Sequence, residues 1–175
     1  MRVIGGQFRS RRLKTLPGLD TRPTPDRLRE ALFNVLAPRI AGAVFLDAYA
    51  GTGAVGIEAL SRGAARCIFL ERTRHAVDAI RENLHALGIE NRARVVPGPV
   101  LRALAAHPAN IVFLDPPYEM EAEYAMALGA LAAESQETVI VQHSIRFEPG
   151  ETHGTLKRTR LLKQGNNALS FYRRE

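Results

Sequence analysis

Phe45-Leu-Asp-Ala-Tyr-Ala-Gly-Thr-Gly-Ala-Val-Gly56 decides how the rest of this chain is read: an apolar run ends on an acid, breaks into glycines and passes into a helical pattern. It predicts a strand, a tight turn and the start of a helix. Glycines there can take backbone angles closed to other residues and let a ligand touch the main chain, while the helix offers unpaired N–H groups at its positive end. Gly51-x-Gly53-x-x-Gly56 also spells the dinucleotide fingerprint, with Glu71 at the distance expected for an acid on ribose hydroxyls.

Outward from that loop, the chain alternates short strands with helices, which predicts parallel strands joined by crossover helices. The expected strands are Val44–Asp47, Cys67–Leu70, Ala93–Val96, Ile111–Leu114 and Thr138–Gln142. Between them lie helices to about Arg62, over His75–Leu87, after the break at Pro97-Gly-Pro99 to about Ala106, and near Ala122–Ala133. After Pro149-Gly150 the alternation ends. Thr155–Leu162 and Ala168–Arg173, around Gly165-Asn-Asn167, predict an antiparallel hairpin. Ahead of the first strand, Thr24 is placed to cap a helix, with Pro25 and Asp26 in its first turn, Leu28, Ala31, Leu32, Val35 and Leu36 as its apolar stripe, and Pro38 as its stop.

At 175 residues the chain is the size of one domain, read here as a basic arm over 1–22 and a core over 23–175. The arm, Arg2 to Lys14 around Gly5-Gly6, is expected to be a small β-hairpin outside the main sheet and outside the core. No apolar run approaches the length of a membrane span, the opening lacks the stretch of a signal peptide, and the single cysteine, Cys67, sits in an apolar run. A cytoplasmic, disulfide-free protein is expected, with no membrane association.

The net charge of +6 is uneven. Residues 1–30 hold eight Lys or Arg against three acids, and residues 151–175 hold six against two, so the body between is slightly acidic. Basic ends suggest a polyanion partner, since counterion release on phosphate neutralisation supplies most nucleic-acid affinity. Arg9, Arg11, Arg12 and Lys14, with Arg22 and Arg27, are the candidate RNA contacts.

In open α/β sheets ligands sit beyond the carboxyl ends of the strands. Asp47, Glu71 and Asp115 close three of them, and three acids together suit a cationic or hydroxyl-rich ligand. A capping role for Asp47 and a plain surface position for Glu71 are the alternatives. Asp115-Pro-Pro-Tyr118 is the most discriminating tetrapeptide. Two prolines fix the backbone and remove two donors, leaving carbonyls as acceptors beside an aromatic face, which suits a planar amine. Bonds from such an amine to the Asp115 carboxylate and the Pro116 carbonyl would aim its lone pair at an electrophile while Tyr118 stacks on the ring.

Asp47-x-x-x-Gly-x-Gly with Asp115-Pro-Pro-Tyr118 resembles the S-adenosylmethionine-dependent amino-methyltransferases. Thr21-Arg-Pro-Thr-x-Asp-Arg-Leu-Arg-Glu-Ala-Leu-Phe-Asn34, Leu46 through Ala64, and Phe113-Leu-Asp-Pro-Pro-Tyr118 closely resemble the bacterial small-subunit ribosomal RNA guanine-N2 methyltransferases, the RsmD family. That resemblance implies a Rossmann-like α/β fold with a mostly parallel seven-stranded sheet and an antiparallel C-terminal hairpin. It implies S-adenosyl-L-methionine as cofactor, held by Asp47, Ala50, Gly51, Thr52, Gly53, Glu71 and Arg72, and guanine held by Asp115, Pro116, Pro117 and Tyr118. The partner would be ribosomal RNA or the small subunit, and the protein a monomer.

Two positions depart from the family. Pro99 stands where relatives carry Asp or Asn towards adenine, leaving main-chain atoms near Gly98 for that contact, and Gln142 stands where an acid is frequent. The five histidines lack metal-like spacing, so no metal is expected, and no nucleophile elbow is present. The rival readings are an amino-methyltransferase acting on adenine N6 or a glutamine side chain, a nicotinamide-dependent oxidoreductase suggested by the glycine spacing, and a non-catalytic RNA-binding module. The oxidoreductase lacks room for a substrate domain and leaves Asp115-Pro-Pro-Tyr118 unexplained.

Overall fold

A computed structural model describes residues 1–17 and 24–175. Arg22, with the flanking Thr21 and Pro23, lies outside the described residues. The alternating pattern produces α1 (Asp26–Ile40), β1 (Val44–Ala48), α2 (Ala54–Ser61), β2 (Arg66–Glu71), α3 (Arg74–Leu87), β3 (Ala93–Pro97), α4 (Val100–Ala103), β4 (Ile111–Leu114), α5 (Glu121–Leu131) and β5 (Thr138–Ser144). Then follow β6 (Thr152–His153), β7 (Leu156–Gln164) and β8 (Asn167–Arg174).

The strands form one sheet in the order β3-β2-β1-β4-β5-β8-β7-β6. β1 to β5 pair in parallel, while β8, β7 and β6 add antiparallel. This is the α/β Rossmann-like architecture expected. The sheet has eight strands among the described residues rather than seven, because two residues, Thr152 and His153, pair with Leu156 and Lys157. A run that short carries no periodicity to read.

Strand order reverses between β1 and β4, and in such sheets the crevice opens beyond the carboxyl ends at that point. One sheet face is covered by α1, α2 and α3, through Leu32, Phe33, Ile57, Ile80 and Leu84 against Phe45, Phe69 and Phe113. The other face packs Tyr124, Leu128 and Leu131 of α5 onto Leu46, Val112, Val139 and Val141. Both faces of the central strands are therefore dry, which is why they read as unbroken apolar runs.

Three local expectations change. Thr24 does not cap α1: Pro25 holds the cap position, and the Thr24 hydroxyl donates to Gln142 Oε1 at 3.0 Å. Pro38 does not stop the helix but lies inside its last turn, which runs on to Ile40. The buried stripe is Leu28, Arg29, Leu32, Phe33, Leu36 and Ile40, so Ala31 and Val35 lie at its edge. Phe33 is drawn inwards by Phe45, 6.1 Å away between ring centres, and by the Arg62 guanidinium above it at 5.4 Å.

The basic arm is outside the sheet but not outside the core. It makes one antiparallel bridge, Arg2 with Arg12, around a 3-10 turn at Gly6–Phe8, and buries Val3, Phe8 and Leu13. Glu58 of α2, fully buried, accepts from the N–H groups of Ile4 at 2.9 Å and Gly5 at 2.8 Å and pairs with Arg62 Nε at 2.8 Å. Ser61 Oγ accepts from Phe8 N at 2.9 Å and donates to Gly5 O at 2.6 Å. No helix of the described residues is long and apolar enough to cross a membrane.

Candidate active site

Beyond the carboxyl ends of the strands lies a cavity of about 860 Å³. Asp47, Ala50, Gly51, Thr52, Glu71 and Arg72 line it together with Asp115, Pro116, Pro117 and Tyr118. The candidate cofactor loop and the tetrapeptide, distant in sequence, thus share one cleft.

The loop is fixed from below by two acids. Asp47, 2% exposed, uses Oδ2 to accept from Gly56 N at 2.8 Å, so it caps the open first turn of α2 from the strand side. The capping alternative for Asp47 is therefore realised while the residue still lines the cleft. Glu71 accepts from Gly51 N at 2.8 Å and from Thr73 N at 2.9 Å, tying the loop to the end of β2. Asn83 of α3 donates to the Thr52 carbonyl at 3.1 Å. Gly51 and Gly53 are both left-handed, at φ +57° and +82°. A side chain at Gly51 would point into open space, whereas one at Gly53 would meet Phe69 at 3.2 Å and Ile80 at 3.3 Å.

Two expected contacts shift. Gly53 does not line the cleft but turns the chain into α2. Gly98 does not line it either, and its N–H is already given to the Glu71 carbonyl at 3.0 Å. Pro99, Val100 and Leu101 form that wall instead, an apolar surface suited to the face of a flat ring.

The tetrapeptide continues β4. Burial pushes the Asp115 carboxyl up to about 7, and burial, with Asp115 and Glu71 nearby, holds Asp47 well above the ordinary carboxylate range against the opposing Gly56 bond. The Pro116 carbonyl is not wholly free, since Tyr124 Oη donates to it at 3.2 Å, leaving its second lone pair. Tyr118 Oη donates to Asn167 Oδ1 at 2.5 Å, so β8 holds the aromatic ring at the mouth.

Several lining residues carried no readable signal. Tyr49 lines the cleft in a left-handed conformation, φ 62°, with its hydroxyl on Glu123 of α5. Met1, Thr15 and Leu16 bring the arm to the cleft wall. Thr24 and Gln142 sit on the same side as a bonded pair. Gln142, singled out in the sequence only as a departure from the family, falls one residue beyond the last pair of β4 and β5, which is what brings it to the cleft.

The candidate RNA residues separate into two groups. Arg11 donates to the Ala86 carbonyl at 2.9 Å and Lys14 pairs with Glu82 at 2.5 Å, whereas the Arg9, Arg12 and Arg27 side chains form no bond or ion pair with the described residues. Among the described residues no group of three or more His, Cys, Asp or Glu is placed to hold a metal.

Fold and cleft define a class: a Rossmann-like α/β protein of the methyltransferase type, with the loop and tetrapeptide at the topological switch point. The chain belongs to the family described as "Conserved hypothetical protein 95", which matches residues 1–173, and the resemblance to the RsmD enzymes is borne out. YlbH of Bacillus subtilis strain 168, provisionally named an rRNA methyltransferase, is 35% identical over 99% of both chains. The Escherichia coli K12 ribosomal RNA small subunit methyltransferase D is 48% identical over 67% of this chain, and the aligned part spans 60% of that protein. A solved E. coli structure, yhhF, provisionally named a methyltransferase, superposes with a TM-score of 0.85 at 37% identity, covering 100% of this chain and 98% of its own.

Proposed function

We propose that this protein methylates the exocyclic N2 amine of a guanine in small-subunit ribosomal RNA. The cofactor is S-adenosyl-L-methionine, the methyl donor of the class. The single observation that carries the reading is the convergence of the Gly51–Gly53 loop and Asp115-Pro-Pro-Tyr118 on one cleft. Asp47, Glu71 and the loop would hold the cofactor's charged and hydroxyl-bearing parts, Arg72 would stand at the rim, and Pro99 to Leu101 would face its adenine.

An aromatic amine is a poor nucleophile because its lone pair spreads into the ring. Asp115 accepts from it, the remaining lone pair of Pro116 O accepts the second N–H, and Tyr118 stacks on the base. The lone pair is then aimed along the line of displacement. No strong base is required, because the methylated amine loses its proton readily. The base must leave its stack to reach the cleft. On this reading the protein is a cytoplasmic monomer, one methyltransferase domain over residues 1–175 whose arm meets RNA.

The test is incubation with labelled S-adenosylmethionine and unmodified small-subunit particles, followed by digestion to nucleosides. Label in N2-methylguanosine is expected. Label in N6-methyladenosine, or in protein, would replace guanine with the rival amine.

A further inference from the structure

Gln142 is 2% exposed, lines the cleft and carries an amide of which only one end is engaged. Its Oε1 accepts from Thr24 Oγ1 at 3.0 Å, while Nε2 has no partner among the described residues and is not sealed in protein. The orientation has a physical cause: the cleft holds the carboxyl groups of Asp47, Glu71 and Asp115, which favour the amide's donor end over its acceptor end. Once a base fills the cleft and displaces water, that donor is satisfied only by an acceptor on the base itself.

Its place is also fixed. Leu114 of β4 pairs with Val141 of β5, so Asp115 and Gln142 stand one residue further on neighbouring parallel strands. Phe113 and Ile140, two residues back on each strand, pack in the same cluster beneath α1 and α2, which puts Asp115 and Gln142 on one face. The two side chains are thus one strand spacing apart, about 4.8 Å. On guanine, N2 and O6 flank N1–H along one edge with a comparable separation, N2 a donor and O6 an acceptor.

We infer that Gln142, oriented by Thr24, is the specificity-determining residue of the base pocket, donating through Nε2 to the O6 keto oxygen of a guanine whose N2 lies on Asp115. This deepens the guanine-N2 reading and rests on it. Adenine offered by its N6 amine would place C2–H opposite Gln142, which accepts nothing and leaves a buried donor unpaired. Sites built to bond a polar group reject analogues lacking it far better than sites built on shape.

The experiment uses the full chain, with kcat/KM measured on particles carrying guanine at the methylated position or 2-aminopurine, which keeps the N2 amine and lacks O6. Gln142→Leu is expected to lower kcat/KM on guanine about tenfold or more with S-adenosylhomocysteine affinity unchanged. The parent should lose a similar factor on 2-aminopurine, and Gln142→Leu should lose much less from that replacement. Gln142→Met, which keeps the length and apolar stem but has no donor, serves if the leucine variant does not fold and should behave alike. Undiminished guanine turnover, or the same 2-aminopurine factor in parent and variants, overturns the assignment and leaves Gln142 a structural partner of Thr24. A parent that puts no methyl on guanine N2 removes the proposed function, and this inference with it.

Discussion

Asp115 carries a measurable consequence of its surroundings. Burial alone raises its carboxyl from 3.8 to about 7, and at 1.36 kcal/mol per unit that is a penalty of about 4 kcal/mol for ionising it in the folded protein. Only the ionised form accepts through both oxygens, so kcat/KM should rise with pH along a one-proton limb centred near 7. Between pH 6 and pH 8 the ionised fraction, and with it the rate, should grow about tenfold. A cationic ligand bound in the cleft favours the anion, so the limb in kcat should lie at lower pH than that in kcat/KM. Stability runs the other way. Because the folded-state pKa is raised above the unfolded value, the folded state holds the extra proton between 3.8 and about 7. The carboxyl's contribution is thus fully present below pH 4 and is lost as pH climbs through 7, by up to about 4 kcal/mol. Asp115→Asn removes the proton, so it should lack the limb and should unfold at higher denaturant than the parent at pH 8. It also separates this titration from that of Asp47, which burial raises as well. The assays are pH–rate profiles on particles at constant ionic strength and urea unfolding at pH 5 and pH 8. A parent profile flat between pH 6 and 8, or the same limb in Asp115→Asn, would refute the reasoning.

Three further outcomes can be checked. Gly51→Val should fold with a penalty of about 1–2 kcal/mol for its left-handed backbone yet lose S-adenosylhomocysteine affinity by calorimetry, whereas Gly53→Val should first lose stability in urea, because its side chain meets Phe69 and Ile80. Asn167→Ala should lower turnover by releasing Tyr118, and in a Tyr118→Phe background the same change should cost nothing more, the double-mutant cycle isolating the 2.5 Å bond. Arg9→Ala with Arg12→Ala should reduce the slope of log RNA affinity against log salt by about 0.7–0.9 for each phosphate that is no longer neutralised, with a smaller change for Arg11→Ala and Lys14→Ala, which already have partners in the protein.

The sheet was legible because its information is local. Each central strand is an apolar run followed within a few residues by its crossover helix, so the order of elements and the strand-end acids follow from the chain read a dozen residues at a time. What stayed illegible are bonds between positions far apart that share no pattern. Thr24 resembles a helix cap in its own neighbourhood, and only the fold brings it 118 residues along the chain to Gln142. Tyr118 and Asn167 are likewise 49 residues apart. The glycine loop shows the same divide at finer grain: the spacing of Gly51 and Gly53 announces a turn, but which of them faces the open cleft and which faces Phe69 depends on where α2 docks.

The arm escapes a local reading for the same reason, and its docking changes how the molecule would meet RNA. Val3, Phe8 and Leu13 are too irregularly spaced among charges to look like core, yet Glu58 and Ser61 hold the main chain between them from 53 to 56 residues away. A carboxylate buried to that degree is tolerable only with its partners in place, so leaving the arm undocked would strand Glu58 beside Arg62 alone. Asn83 extends the same logic to the glycine loop, since one buried amide accepts from Lys14 N at 2.6 Å and donates to the Thr52 carbonyl at 3.1 Å. Arm, α2, α3 and glycine loop are therefore joined by buried polar contacts. The exposed Arg9 and Arg12 are thus carried on a segment docked against α2 and α3, whose ends at Met1, Thr15 and Leu16 reach the cleft, rather than on a loose tail, so phosphates that settle on them would be held at a defined position relative to the body of the protein.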